Sequence, residues 1–450
     1  MVKNSTKFIC QQCGTSYSKW SGRCEQCGAW NSLLEQAPVS SGTTVVAKSR
    51  GKALEVTTIT SLSKKDSTAR LSTGIADIDT ILGGGLVPGS VTLLAGEPGM
   101  GKSTVLLQVA HAVAQNQKVL YISGEESLSQ IKGRAMRLKT EHESLELAAS
   151  TSADDIAATI RDSKYALVIV DSIQTMAMND IASAPGTVSQ ITNTANLLIQ
   201  AAKSTHSALV VVGHVTKEGS IAGPKILEHL VDVVINFEGD RYGGFKIMRA
   251  IKNRFGATNE AALFEMTEAG LIPVANPSAA LLDERQNTDG SVVFATIEGN
   301  RPLLVEIQAL VNPTNFGYPK RTASGYDGNR LSLLIAVLER RTKLQLSDKD
   351  IYINVVGGLK LQDPAADLAV CMAIASAATQ LQLASTVVVF GEVGLSGEIR
   401  SVTNVDKRIA EAKKLGFTSA IGPIQKQKQT FVTGIRDMRA ALNTYLKKNS

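Results

Sequence analysis

The chain reads as an α/β protein built on a mostly parallel sheet, preceded by a small metal-held finger. Three observations carry this reading. A buried strand, a glycine loop and a helix follow one another over residues 91–115. From about 69 to 275, short β-branched apolar runs alternate with helical patterns, as in a parallel sheet covered on both faces. Four of the five cysteines fall within the first 32 residues as two C-x-x-C pairs.

Size and composition bound the rest. A chain of 450 residues implies two or three domains. With 44% apolar and 20% charged residues it can build sizeable cores, and global disorder is excluded. A net charge of +6 is mildly basic, compatible with a polyanionic partner without requiring one. No apolar run is long enough to span a bilayer, and the start, MVKNSTKFICQQC, lacks the apolar core of a signal peptide. The expected setting is the cytoplasm, away from membranes. Cysteines there favour metal binding or burial over disulfides.

Residues 1–32 form the finger. Cys10, Cys13, Cys24 and Cys27 make two knuckles ten residues apart, supplying four thiolates for a tetrahedral Zn²⁺. Gly14 and Gly28 follow the second cysteine of each knuckle and suit a tight turn with N–H groups aimed at sulfur. Four protein ligands close the site, so the metal is structural and holds folded a segment too short for its own core. Tyr17, Trp20 and Trp30, with Lys19 and Arg23, either pack around the metal or face a partner. Residues 33–68, rich in Ser, Thr, Lys and Val, read as a linker. The α/β region spans 69–275, and Asn276-Pro277 marks the start of a second α/β region, 276–450. Cys371, in the apolar run Asp367-Leu-Ala-Val-Cys-Met-Ala-Ile, is a core residue.

The chemistry concentrates in the first α/β region. Gly96-Glu97-Pro98-Gly99-Met100-Gly101-Lys102-Ser103, followed by Thr104, matches G-x-x-x-x-G-K-[ST]. Val91–Ala95 is the entering strand and Thr104–Gln115 the leaving helix. Glycines let backbone N–H groups turn inward around an anion, and the helix N-terminus adds partial positive charge. The ligand is a nucleoside triphosphate, taken as ATP. Lys102 is placed to reach its terminal phosphates and Ser103 to ligate Mg²⁺. Leu167-Val-Ile-Val-Asp171 is an apolar strand ending in a carboxylate suited to hold Mg²⁺ through water. Val119-Leu-Tyr-Ile-Ser123-Gly124-Glu125-Glu126 puts two acids after another buried strand, expected to neighbour the loop strand; Glu125, nearer the strand end, is the candidate general base. His214 ends the strand Leu209–Gly213 on the ligand side, where it either senses the γ-phosphate or is structural. Lys252-Asn253-Arg254-Phe255-Gly256 follows a further strand candidate, Phe245–Ala250; its cations either clamp phosphates or form a solvated turn.

Several of these motifs together resemble a known family. LSTGI, GGGLVPG, GEPGMGKST, YISGEES, LVIVDSIQT and GHVTKEG are similar to the RecA/DnaB-type ATPase core. With KNRFG and the four-cysteine motif added, the whole chain resembles the bacterial RadA (Sms) DNA-repair family. The resemblance implies a homo-hexameric, DNA-dependent ATPase with helicase-like movement on single-stranded DNA. It implies work on branched recombination intermediates alongside a RecA-type recombinase. It also implies that Lys252 and Arg254 act in trans, reaching the γ-phosphate held by the neighbouring subunit. Segments 174–190 and 216–226 become candidate flexible DNA loops, with Lys217 and Lys225 as phosphate contacts.

The C-terminal block, through IYINVVGGL and GEVGLSGEIR, is similar to the Lon protease fold. Lon enzymes use a Ser/Lys dyad. Here Ala365 takes the serine's place and Asp406 the lysine's, with Lys407 one residue off, so the resemblance implies a scaffold without peptidase activity. Arg330, Arg340, Arg341 and Lys343 are basic candidates for DNA contact.

Overall fold

The protein is represented by a computed structural model that describes residues 7–10, 15–28, 30, 32–36, 58, 70–214, 226–239, 245–314, 317–425 and 429–446. Near the start, β1 (Lys7–Cys10) pairs antiparallel with β2 (Ser16–Tyr17) and β3 (Leu33–Gln36). Cys10, Cys24 and Leu33 form a small core, with Phe8 and Tyr17 against it.

The next region contains α1 (Ala76–Leu82), β4 (Val91–Gly96), α2 (Lys102–Ala114), β5 (Val119–Ser123), α3 (Leu128–Leu138), β6 (Leu145–Ala149), α4 (Ala153–Asp162), β7 (Leu167–Asp171), α5 (Val188–Thr205), β8 (Ala208–His214), α6 (Ile226–Leu230) and β9 (Val233–Gly239). Three more strands, β10 (Phe245–Asn253), β11 (Ala261–Thr267) and β12 (Gly270–Pro273), complete a sheet of order β12-β11-β10-β9-β4-β8-β7-β5-β6. From β9 through β6 the pairs are parallel, and β9 to β12 are antiparallel. Only five residues separate β9 from β10, too few for a crossover, and the two strands pair antiparallel. β4, β5 and β7 are buried along their whole length because helices cover both faces. Leu94 faces the layer built from α1, α2 and α3, whereas Leu93 and Ala95 face α4 and α5.

One expectation fails. β5 does not neighbour β4, because β8 and β7 lie between them. The return strands insert beside the loop strand, and this seats Asp171 of β7 directly opposite Ser123 of β5. Segment 174–190 is not simply flexible either. The Gln190 side chain accepts from Met178 N and donates to the carbonyls of Met178, Ile181 and Ser183 at 2.9–3.3 Å, pinning the loop to α5. Lys217 and Lys225 lie outside the described residues.

The C-terminal region runs α7 (Pro277–Leu282), β13 (Ser291–Glu298), β14 (Arg301–Pro313), β15 (Arg321–Ser324), α8 (Gly328–Thr342), β16 (Lys349–Val355), α9 (Ala366–Thr379), β17 (Val387–Val389), β18 (Glu392–Val393), β19 (Ile399–Arg400), α10 (Val405–Lys414), β20 (Ser419–Pro423), β21 (Val432–Ile435) and α11 (Met438–Tyr445). Asn276 caps α7 by accepting from Ala279 N. The sheet order is β15-β16-β14-β13-β17-β20-β21, with α9 buried against it from Ala366 to Ser376. Ile247, Ala261 and Leu263 of the first sheet join this second core. Arg249 bridges Glu238 of β9 to Glu298 of β13, and Arg301 pairs with Asp77 of α1. Among the described residues no helix is long and apolar enough to cross a membrane.

Candidate functional site

The glycine loop leaves β4 at the C-terminal edge of the parallel strands, where Gly96 stands level with His214 of β8. Gly96 has no room for a side chain: a Cβ there would meet Phe237 O at 2.4 Å. Gly101 caps α2 at φ +98°, a conformation that excludes most L-residues. Pro98, Gly99, Gly101, Lys102, Ser103 and Thr104 line a cleft of about 480 Å³. Met100 turns away and is buried in the core, so only its backbone belongs to the loop.

Lys102 is 5% exposed, and its ammonium donates to Gly96 O and Glu97 O, both at 2.8 Å. Burial draws its pKa down to about 8, against the opposing pull of Asp171, Glu125 and Glu97. Its two hydrogen bonds go to neutral carbonyls, so the positive charge remains for an anion. A buried cation in a roomy polar cleft fits a phosphate chain.

The acids divide the opposite wall. Asp171 is buried, and its Oδ2 accepts from the Tyr121 hydroxyl at 2.7 Å. Glu125 Oε1 accepts from Ser172 Oγ at 2.5 Å and lies 3.3 Å from His214 Nε2. Burial pushes the Glu125 carboxyl up, but the hydrogen bonds of Ser172 and His214 and the charges of His214 and Lys102 outweigh it and hold it below its usual range. Glu126 is taken up by an ion pair with Arg134 of α3. Ser123 Oγ accepts from the backbone N–H of both Glu125 and Glu126, fixing the turn that separates the two acids.

Lys252 and Arg254 are not brought to this cleft. Lys252 Nζ donates to Glu228 O and Val231 O, both at 2.7 Å, capping the end of α6. Arg254 pairs with Asp232 at 3.0 Å, and Asp232 also accepts from Val91 N at the opposite end of β4 from the loop. Five strand residues separate the two ends, about 16 Å along the sheet. The arginine tip remains accessible, its side chain 55% exposed. Asn253 donates to Ile81 O, and Gly256 packs against Gly83, making the KNRFG turn a rigid corner.

In the finger, the sulfurs of Cys10, Cys24 and Cys27 lie within 4.8 Å of one another, Cys10 and Cys27 at 3.6 Å. Tetrahedral zinc–thiolate bonds of about 2.3 Å put sulfurs about 3.8 Å apart, so the three fit one metal. Cys13 lies outside the described residues. Tyr17 packs inside, its hydroxyl 3.2 Å from Cys24 Sγ, whereas Trp20 and Trp30 are exposed. Of the three aromatic residues only Tyr17 packs against the cysteines.

In the C-terminal region Ala365 is fully buried at the start of α9. Asp406 accepts from Gln429, and Lys407 reaches Asn300 instead of Ala365. Arg330, a candidate DNA contact, is committed elsewhere: it forks onto buried Asp367, which also accepts from Tyr326 and Val393 N. Arg340, Arg341 and Lys343 are exposed at the end of α8.

Sequence reading missed Tyr121, Ser172 and Arg134. Tyr121 carried a readable sign, a polar residue inside a fully apolar strand and two positions before Ser123, hence on the same face. The partners of Ser172 and Arg134 depend on strand order and left no local mark.

Strand order, glycine loop and acids define a phosphate-loop ATPase with a RecA-like sheet, carrying an N-terminal metal ribbon. Family models agree: an AAA domain matches residues 60–220, a rubredoxin metal binding domain residues 8–35, and subunit ChlI of Mg-chelatase residues 332–426. The DNA repair protein RadA of Listeria monocytogenes is 45% identical, with 99% of each chain covered. That of Bacillus subtilis is 46% identical over 99% of this chain and 100% of that one. A solved RadB recombinase shares 23% identity and a TM-score of 0.37 over 45% of this chain and 99% of that one. The chain belongs to the DNA repair protein RadA family.

Proposed function

We propose that this protein is a DNA-dependent ATPase of recombinational repair. It acts as a homo-hexameric, helicase-like motor that moves on single-stranded DNA and drives branch migration of recombination intermediates beside a RecA-type recombinase in the cytoplasm. The observation that carries the reading is the divided site. One chain supplies loop, acids and Lys102 at one end of β4, while Lys252 and Arg254 stand at the other end, with the Arg254 tip open to a neighbour. Full-length likeness to DNA repair proteins supports the DNA-directed role.

In this reading the loop and Lys102 hold the phosphates. Ser103 and Asp171 would hold Mg²⁺, which when bound would supply positive charge beside the phosphate oxygens. Glu125, aligned by Ser172 and His214, orients and deprotonates the attacking water. Cys10, Cys13, Cys24 and Cys27 would hold Zn²⁺. The proposed division is finger 1–32, linker 33–68, ATPase 69–275 and Lon-like scaffold 276–450. Ala365 offers no nucleophile, so peptide hydrolysis is not part of the reading.

The test is ATP turnover with and without single-stranded DNA, read with the native mass. Stimulated turnover by a six-subunit ring is the expected result. Turnover indifferent to DNA would favour a regulatory ATPase instead.

A further inference from the structure

Behind Asp171, outside the residues that line the cleft, stands a side chain that the proposed chemistry does not use. Tyr121 is 1% exposed in the middle of β5, among apolar strand residues. A phenol so placed must hydrogen-bond, because a buried hydroxyl without a partner loses its hydration uncompensated. Its hydroxyl donates to Asp171 Oδ2 at 2.7 Å. Asp171 is one of the two side chains proposed to hold Mg²⁺, and it ends β7, which the single strand β8 separates from β4 and its loop.

A phenol has one proton to give and lone pairs to receive. With its proton on Asp171 Oδ2, it leaves Asp171 Oδ1 outside the phenol contact. Arg134 adds positive charge on the side of Tyr121.

We propose that Tyr121 is a positioning residue for the divalent cation: it holds Asp171 Oδ2 and presets the carboxylate for metal. The inference rests on the ATPase reading above and adds to it a buried support for the cation. The phenol touches neither nucleotide nor metal. Partners of this kind orient metal-holding groups, and their loss costs metal affinity more than fold.

The experiment compares the full-length protein with Tyr121→Phe, which keeps the ring and removes only the oxygen. Fluorescent ADP is titrated with and without Mg²⁺, and Mn²⁺ binding to the ADP complex is read by electron paramagnetic resonance. The expected result is unchanged metal-free ADP affinity and Mn²⁺ binding weakened about tenfold. Equal Mn²⁺ affinity in the two proteins overturns the proposal and leaves Tyr121 as packing. If the unsubstituted protein binds no nucleotide at all, the ATPase reading fails, a separate outcome. Should Tyr121→Phe not fold, protein carrying 3-fluorotyrosine is observed by ¹⁹F resonance. A buried signal that moves when Mg²⁺ joins the ADP complex supports the proposal, and no movement of any signal overturns it.

Discussion

Lys102 is the residue on which the site turns, because its charge is costly where it sits. Burial holds its pKa at about 8, against an unfolded lysine near 10.5. Below pH 8 the folded, nucleotide-free protein carries that buried charge at a cost. Between pH 8 and 10.5 the unfolded chain holds the extra proton, so this residue's contribution to stability rises with pH across the window. Phosphate binding needs the charged form and runs the other way. Metal-free ADP affinity should therefore weaken above pH 8, approaching about tenfold per unit. Lys102→Met should bind more weakly and flatten that profile; fluorescence titration from pH 7 to 9.5 reads both. The neighbouring acids separate as cleanly. Glu125→Gln should keep nucleotide affinity while losing about 10²–10⁴-fold in turnover. Glu126→Gln should cost far less, because its carboxylate is engaged by Arg134. Loop, Asp171 and Glu125 were legible in the sequence because each is a local pattern at a strand end. Ser172 was not, and Tyr121 showed only as a polar residue in an apolar run, since their partners stand 47 and 50 residues away and meet only through sheet order.

Among the elements, α9 shows how the C-terminal region can be stable without the chemistry its pattern suggests. The helix is buried on all sides through Ser376, so the carboxylate of Asp367 in its first turn must be fully paired. Arg330, Tyr326 and Val393 N do this, tying α8, α9 and β18 together. Asp367→Ala should cost about 3 kcal/mol, the low end for a broken buried pair, because Arg330 retains partial access to water. Arg340→Ala, at the exposed end of the same α8, should stay within about 0.5 kcal/mol. Thermal melting distinguishes them. Sequence alone could not separate the two arginines, since the burial of Asp367 is a tertiary fact. The finger was more legible, because metal spacing is local. Its small core of Cys10, Cys24 and Leu33 is distinct from the others. Cys24→Ser should then release zinc, measured by metal analysis, with ADP affinity unchanged. Loss of ADP binding would contradict an independent finger.

At the scale of the molecule, the position of KNRFG bears on the proposal that the site is shared between subunits. The motif is easy to read in sequence, and its antiparallel placement follows from the short β9–β10 link. Its distance from the loop is not readable, because that depends on β9 lying between β10 and β4 with Asp232 anchored at Val91. A self-contained pocket would need the arginine to cross about 16 Å of sheet, whereas a neighbouring subunit needs only to dock against an exposed tip. Arg254→Ala should thus retain nucleotide binding and lose about 10³-fold in turnover. Lys102→Ala should be inactive as well, yet it still carries an intact Arg254. Mixed into one ring, an Arg254→Ala subunit supplies a sound loop and its Lys102→Ala neighbour supplies the arginine. At equal amounts and random assembly, about a quarter of the interfaces join two intact halves, so activity should return towards that fraction. Turnover measured against mixing ratio should peak near equal amounts. If native mass shows mixed rings and no ratio restores turnover, the arginine does not act across the interface, and its pairing with Asp232 is its whole role.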